Sequence, residues 1–117
     1  MSDPAELALV VKALQSGLGG CVEWNVTVTD RLKAELAPHG LTLRLVRREV
    51  IDYVQSGGEV VQVKEEREGW KDRRDYWYKL ILPMPALFAN GLFVELELAN
   101  RDPDYPEVSL VNAHEQY

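Results

Sequence analysis

The chain has 117 residues, 46% of them hydrophobic and 27% charged, a composition that excludes a wholly disordered or membrane-embedded protein. A domain of this length buries roughly two thirds of its unfolded surface, enough for a single core spanning residues 1–117. The formal net charge of −6 argues against binding nucleic acid through overall charge, because phosphate affinity comes mainly from clustered Lys and Arg.

Near the start, the apolar residues 7–14 are interrupted by Lys12 and preceded by Asp3 and Glu6, the wrong pattern for a signal peptide. Nothing approaches the roughly 18 apolar residues of a membrane span. A cytoplasmic location without membrane contact is therefore expected. Asp3-Pro4 with Glu6 reads as a helix start, because a side-chain oxygen caps free amides and proline suits the first turn. Leu7, Val10, Val11 and Leu14 then recur at helical spacing up to Gly17.

From Val22 the period changes to two, with Val22, Trp24, Val26 and Val28 on one face, as in a half-buried strand or an extended arm. Thr29 or Asp30 opens a short helix over 31–36 that ends at Pro38 and Gly40. Thr42 caps a third helix, whose apolar stripe is Leu43, Val46, Val50 and Val54 and whose stop is Gly57-Gly58. Four strands follow, over 59–65, 76–82, 92–99 and 107–114. Their short sequential connections favour an antiparallel meander. The expected fold is therefore α+β, with N-terminal helices packed on a four-stranded, mainly antiparallel sheet. In the third of these strands Leu92, Val94, Leu96 and Leu98 alternate with residues that include Glu95 and Glu97, so one face meets the helices and the other stays open. If Tyr76, Tyr78, Leu80 and Leu82 face the core, Lys79 joins the two glutamates on the open face.

Cys21 is the only cysteine and the two histidines, His39 and His114, are far apart in the chain. No intramolecular disulfide, metal-ligand spacing or cofactor is therefore expected. Nine of the thirteen basic residues lie between positions 44 and 79, with eight acids among them, which leaves eleven acids and four bases elsewhere. The run KEEREGWKDRRD reads either as a solvated loop or as a site in which Trp70, amid charges, offers a stacking surface.

The stretches LALVVKALQSG, VTVTDRLKAELAPHGLTLRLVRREVIDYVQSGGEVVQV and VSLVNAHEQY, in the order helix, arm, helix, helix, four strands, resemble the RelE/MqsR-type interferase toxins over most of the chain. That resemblance implies a metal-independent endoribonuclease whose sheet face cleaves RNA by attack of the 2′-hydroxyl, with an antitoxin protein as partner. A base must take the hydroxyl proton, a cation must stabilise the phosphorane, and an acid must protonate the leaving oxygen. The residues implied are His114 for proton transfer, Arg67 or Lys79 for the phosphate and Glu95 or Glu97 as a base. Lys64, Trp70, Lys71, Arg73, Arg74 and Tyr78 would hold RNA.

Each of these residues also has a plainer reading. His114 shares parity with Val108, Leu110 and Asn112, which makes it a core-facing strand end. Tyr76, Trp77 and Tyr78 suit a pleated core. The acidic balance supports a competing, non-enzymatic function: a module that covers a basic partner such as a toxin, since opposite charge speeds encounter. Its contact surface would be Glu95, Glu97, Asp102, Asp104 and Glu107.

Overall fold

The computed structural model describes residues 2–17 and 19–117. Helix α1, Pro4–Ser16, starts as its sequence dictates: the Asp3 carboxylate accepts from the Glu6 amide at 3.0 Å. It ends at Gly17, whose φ of 66° is the left-handed turn that glycine adopts without steric cost. The Glu6 side chain turns inward instead of returning to the cap, and the Asp3 amide donates to Gln62 Oε1 at 2.8 Å. The helix start is thereby fastened to the sheet.

Strand β1, Val22–Trp24, is only three residues long. Asn25 ends it: its Oδ1 accepts from both the Thr27 amide and hydroxyl, folding the next residues into a turn where the alternating pattern predicted more strand. Helix α2, Thr29–Leu36, has no side-chain cap: Val28, which carries no acceptor, holds the cap position, and the Thr29 hydroxyl, inside the first turn, donates to the Val26 carbonyl. Helix α3, Leu43–Gln55, has the expected one, with Thr42 Oγ1 accepting from the Leu45 amide at 3.0 Å.

The second half forms β2, Val61–Lys64; β3, Tyr76–Met84; β4, Phe88–Asn100; and β5, Glu107–Glu115. The sheet order is β1-β5-β4-β3-β2, antiparallel throughout except for the parallel β1–β5 edge. The fold is α+β as expected, but the sheet is five-stranded and mixed rather than four-stranded. The sequence pattern exposes β1 as strand-like, whereas its partner, 86 positions later at Val108, is set by tertiary packing.

All three helices supply residues to the core on one face of the sheet. Val10, Ala13 and Leu14 of α1, Leu32 and Leu36 of α2, and Val46, Val50, Ile51 and Val54 of α3 are buried with Leu80, Leu82, Leu92, Val94, Leu96, Val108, Leu110 and Ala113. Arg44, Arg47 and Arg48 lie off that stripe, and Arg47 Nε donates to the Val22 carbonyl at 2.6 Å, tying α3 to β1. Among the described residues no helix is long and apolar enough to cross a membrane.

Candidate site on the open sheet face

In antiparallel strands, directly paired residues project to the same side. Because Leu92, Val94 and Leu96 enter the core, Phe93, Glu95 and Glu97 of β4 face away from the helices. Their partners on β3 include Ile81, opposite Phe93, and Lys79, opposite Glu95. On β5 the pairing shifts between Glu95↔Asn112 and Leu96↔Leu110, leaving Val111 as an extra residue. Such a bulge reverses the alternation beyond it. Asn112 and His114 therefore stand on the open face and Ala113 is buried, a correction to the parity that placed His114 with Val108 and Leu110.

A row of rings crosses this face. The Arg67 guanidinium lies 4.9 Å from the Trp77 centroid, Trp77 meets Phe93 edge-on at 6.3 Å, and Phe93 stacks on His114 at 4.7 Å. His114 is exposed, and its Nδ1 lies 2.9 Å from the Glu115 carbonyl. A carbonyl only accepts, so Nδ1 carries the proton and Nε2 of the neutral ring keeps its lone pair. Lys79 forms no ion pair among the described residues. It is two strands and two residues from His114, about 12 Å between Cα atoms by sheet spacing.

The charged segment 65–75 folds over one side of this face. Arg67 pairs with Glu65 at 2.8 Å and with Glu95 at 3.0 Å, while Arg74 reaches Glu65 at 3.0 Å, Glu95 at 3.7 Å and also Glu97. Burial alone raises the Glu65 pKa, but hydrogen bonds and charge from Arg67 and Arg74 outweigh it and hold the carboxyl below its ordinary value. The same contacts, first with Glu65 and then with Glu95, raise the Arg67 pKa against the effect of its burial. These residues were candidates for free catalytic groups. Arg67 instead spends its guanidinium on carboxylates and Glu95 is 7% exposed, so neither is free for a phosphate or a substrate proton.

Trp70 remains 44% exposed, with Arg74 at 4.9 Å and Arg73 at 5.5 Å from its ring. Lys64 and Lys71 fall elsewhere. They line a cleft with Glu66, Asp72 and Tyr76 at the base of the loop, and the β2–β3 register puts Lys64 on the helix side. Tyr78 is excluded as an RNA contact: it is fully buried, and its hydroxyl donates to Glu6 at 2.8 Å and accepts from Gln62 at 2.9 Å. Of the acids assigned to a protein contact, Glu95 is buried against Arg67 and Arg74 and Glu97 pairs with Arg74 through one oxygen, whereas Asp102 and Asp104 stay exposed beside Tyr105, itself 66% exposed.

Sequence reasoning missed His39. Its ring meets Phe88 at 5.0 Å, and it shares a pocket of about 130 Å³ with His114, Glu35 and Tyr117. Seventy-five positions separate the two histidines, and only docking of the α2–α3 connection against the end of the sheet brings both to the lining of one pocket. Among the described residues no group of three His, Cys, Asp or Glu side chains is placed to hold a metal ion. No family model matches the chain, and no match is found among curated proteins or solved structures.

Proposed function

We propose that the open sheet face binds and cleaves RNA, making the chain a toxin-type ribonuclease of the RelE/MqsR kind with a protein antitoxin as partner. One observation carries the reading: on the open face stand a histidine with an available Nε2, an unpaired lysine and a row of aromatic rings, and a second histidine, on the helix side, lines a pocket that the first also reaches at the end of the sheet. His114 Nε2 takes the proton from the ribose 2′-hydroxyl, and the oxygen attacks the adjacent phosphorus. Lys79 stabilises the charge on the phosphorane. His39 protonates the departing 5′-oxygen, leaving a 2′,3′-cyclic phosphate and a free 5′-hydroxyl. Trp77 and Phe93 offer stacking surfaces, which suit single-stranded RNA because unstacked bases pack on aromatic rings.

The test is tightly controlled expression in a host cell with total RNA mapped for new ends. Growth arrest with new 5′-hydroxyl ends is expected, and both should disappear in His114→Ala while the variant still folds. A second reading, a binding module for a basic protein, is favoured by the internal neutralisation of Arg67 and Arg74 and by the exposed Asp102, Asp104 and Tyr105. Harmless expression with intact RNA would select it.

A further inference from the structure

Beside the aromatic row lies a cleft of about 250 Å³, between Trp70 of the charged segment and the turn at residues 25–28, with Glu97 and Asn112 contributing from the sheet. It is large enough for one heterocyclic base, and its unsatisfied groups have a definite pattern. Asn112 accepts from the Ala113 amide through Oδ1, and Asn25 accepts from Thr27 through Oδ1. Both side-chain NH2 groups therefore remain as unused donors. Glu97 engages Arg74 through Oε2 alone, so Oε1 and the second lone pair of Oε2 remain as acceptors. Trp70, 44% exposed, supplies a ring for stacking.

We propose that this cleft is a guanine-binding site; the inference rests on the ribonuclease reading for RNA as the source of the base. Guanine alone among the four RNA bases presents two adjacent donors, N1–H and the 2-amino group, to a carboxylate, with O6 and N7 left to accept from amides. Adenine and cytosine would set a ring-nitrogen lone pair beside the Glu97 carboxylate. Uracil offers one N–H flanked by two carbonyls. A site built around a hydrogen-bonding group rejects the base that leaves that group unpaired. Asn112 is two residues along β5 from His114, about 7 Å, so a base in the cleft leaves its own ribose and phosphate near the histidine. Cleavage would then fall next to guanosine.

The test is equilibrium dialysis of the full chain against the 3′-monophosphates of guanosine, adenosine, cytidine and uridine, with RNA ends mapped on the same preparations. Guanosine 3′-monophosphate should be retained about tenfold more tightly than the other three, the worth of one well-made polar contact. Glu97→Gln should abolish the preference, and Trp70→Ala should weaken retention of the guanosine nucleotide. If Glu97→Gln fails to fold, Trp70→Ala decides alone, because Trp70 is exposed and makes no ion pair. Equal retention of all four, retention of none, or a guanosine preference unchanged in both folded variants would overturn the site. RNA cut without regard to base, together with equal retention, removes the guanine site and leaves the ribonuclease. Selective guanosine binding with RNA left intact keeps the cleft and removes the ribonuclease.

Discussion

The Tyr78 hydroxyl ties the first helix to the middle of the sheet by bridging Glu6 and Gln62, while Arg101 holds the other Glu6 oxygen at 2.8 Å. Burial is the largest influence on the phenol and raises its pKa, the Gln62 bond lowers it, and the Glu6 carboxylate raises it further. Tyr78→Phe leaves a 4% exposed carboxylate short of one donor, and a lost hydrogen bond to a charged group costs about 1.5–3 kcal/mol. Urea unfolding near pH 7 should show that loss without a change in slope. A full-strength Tyr78→Phe variant would show that the bridge contributes nothing. Tyrosine was expected in a pleated core on its residue type, and the strand parity allowed it. The bridge was not legible, because Glu6 and Tyr78 lie 72 positions apart and nothing local turns Glu6 inward.

At the scale of elements, two of the sheet's three register shifts shape the site and the hairpin. The extra residue Val111 turns His114 outward. The other lies at the β3–β4 hairpin, where the sequence places a connection at Pro83, Pro85 and Asn90-Gly91 but the strands continue to a Met84↔Phe88 pair through a register shift. Gly91 makes this possible. Its φ is +86°, and an added Cβ would sit 2.5 Å from the Leu82 carbonyl oxygen. Gly91→Ala therefore combines backbone strain of about 1–3 kcal/mol with a steric clash, and its thermal midpoint should fall by several degrees. An unchanged midpoint would mean that the hairpin relaxes freely. Turn residues in a sequence mark where the chain departs from ideal pairing, and here they mark a bend inside a hairpin rather than its limits.

Across the whole molecule, helices cover one sheet face and the segment 65–75 covers part of the other through Glu65, Arg67, Arg74, Glu95 and Glu97. Glu65 has a fully buried side chain in that network and a pKa below its ordinary 4.5. A depressed carboxyl stabilises the fold above its unfolded pKa, and that stability is lost as pH falls through the folded value. Glu65→Gln should therefore lower stability near pH 7 by about 1.5–3 kcal/mol, as expected for removing a charged hydrogen-bond partner. It should also flatten the loss of stability expected of the unmodified chain as pH falls below the ordinary carboxyl value of 4.5. Parallel pH profiles for the two proteins would show that the network does not govern acid unfolding.

Helical and alternating periodicities determined the three helices, the four main strands and most of the core, because those patterns record which side of each element avoids water. The mixture of charges in 65–75 was equally visible, but their partners were not. Pairing with Glu95 and Glu97, the outward turn of His114, its shared pocket with His39 and the parallel β1 edge all depend on contacts between distant segments. Only the folded sheet brings those segments together, and one extra residue in β5 is enough to decide which face a side chain occupies.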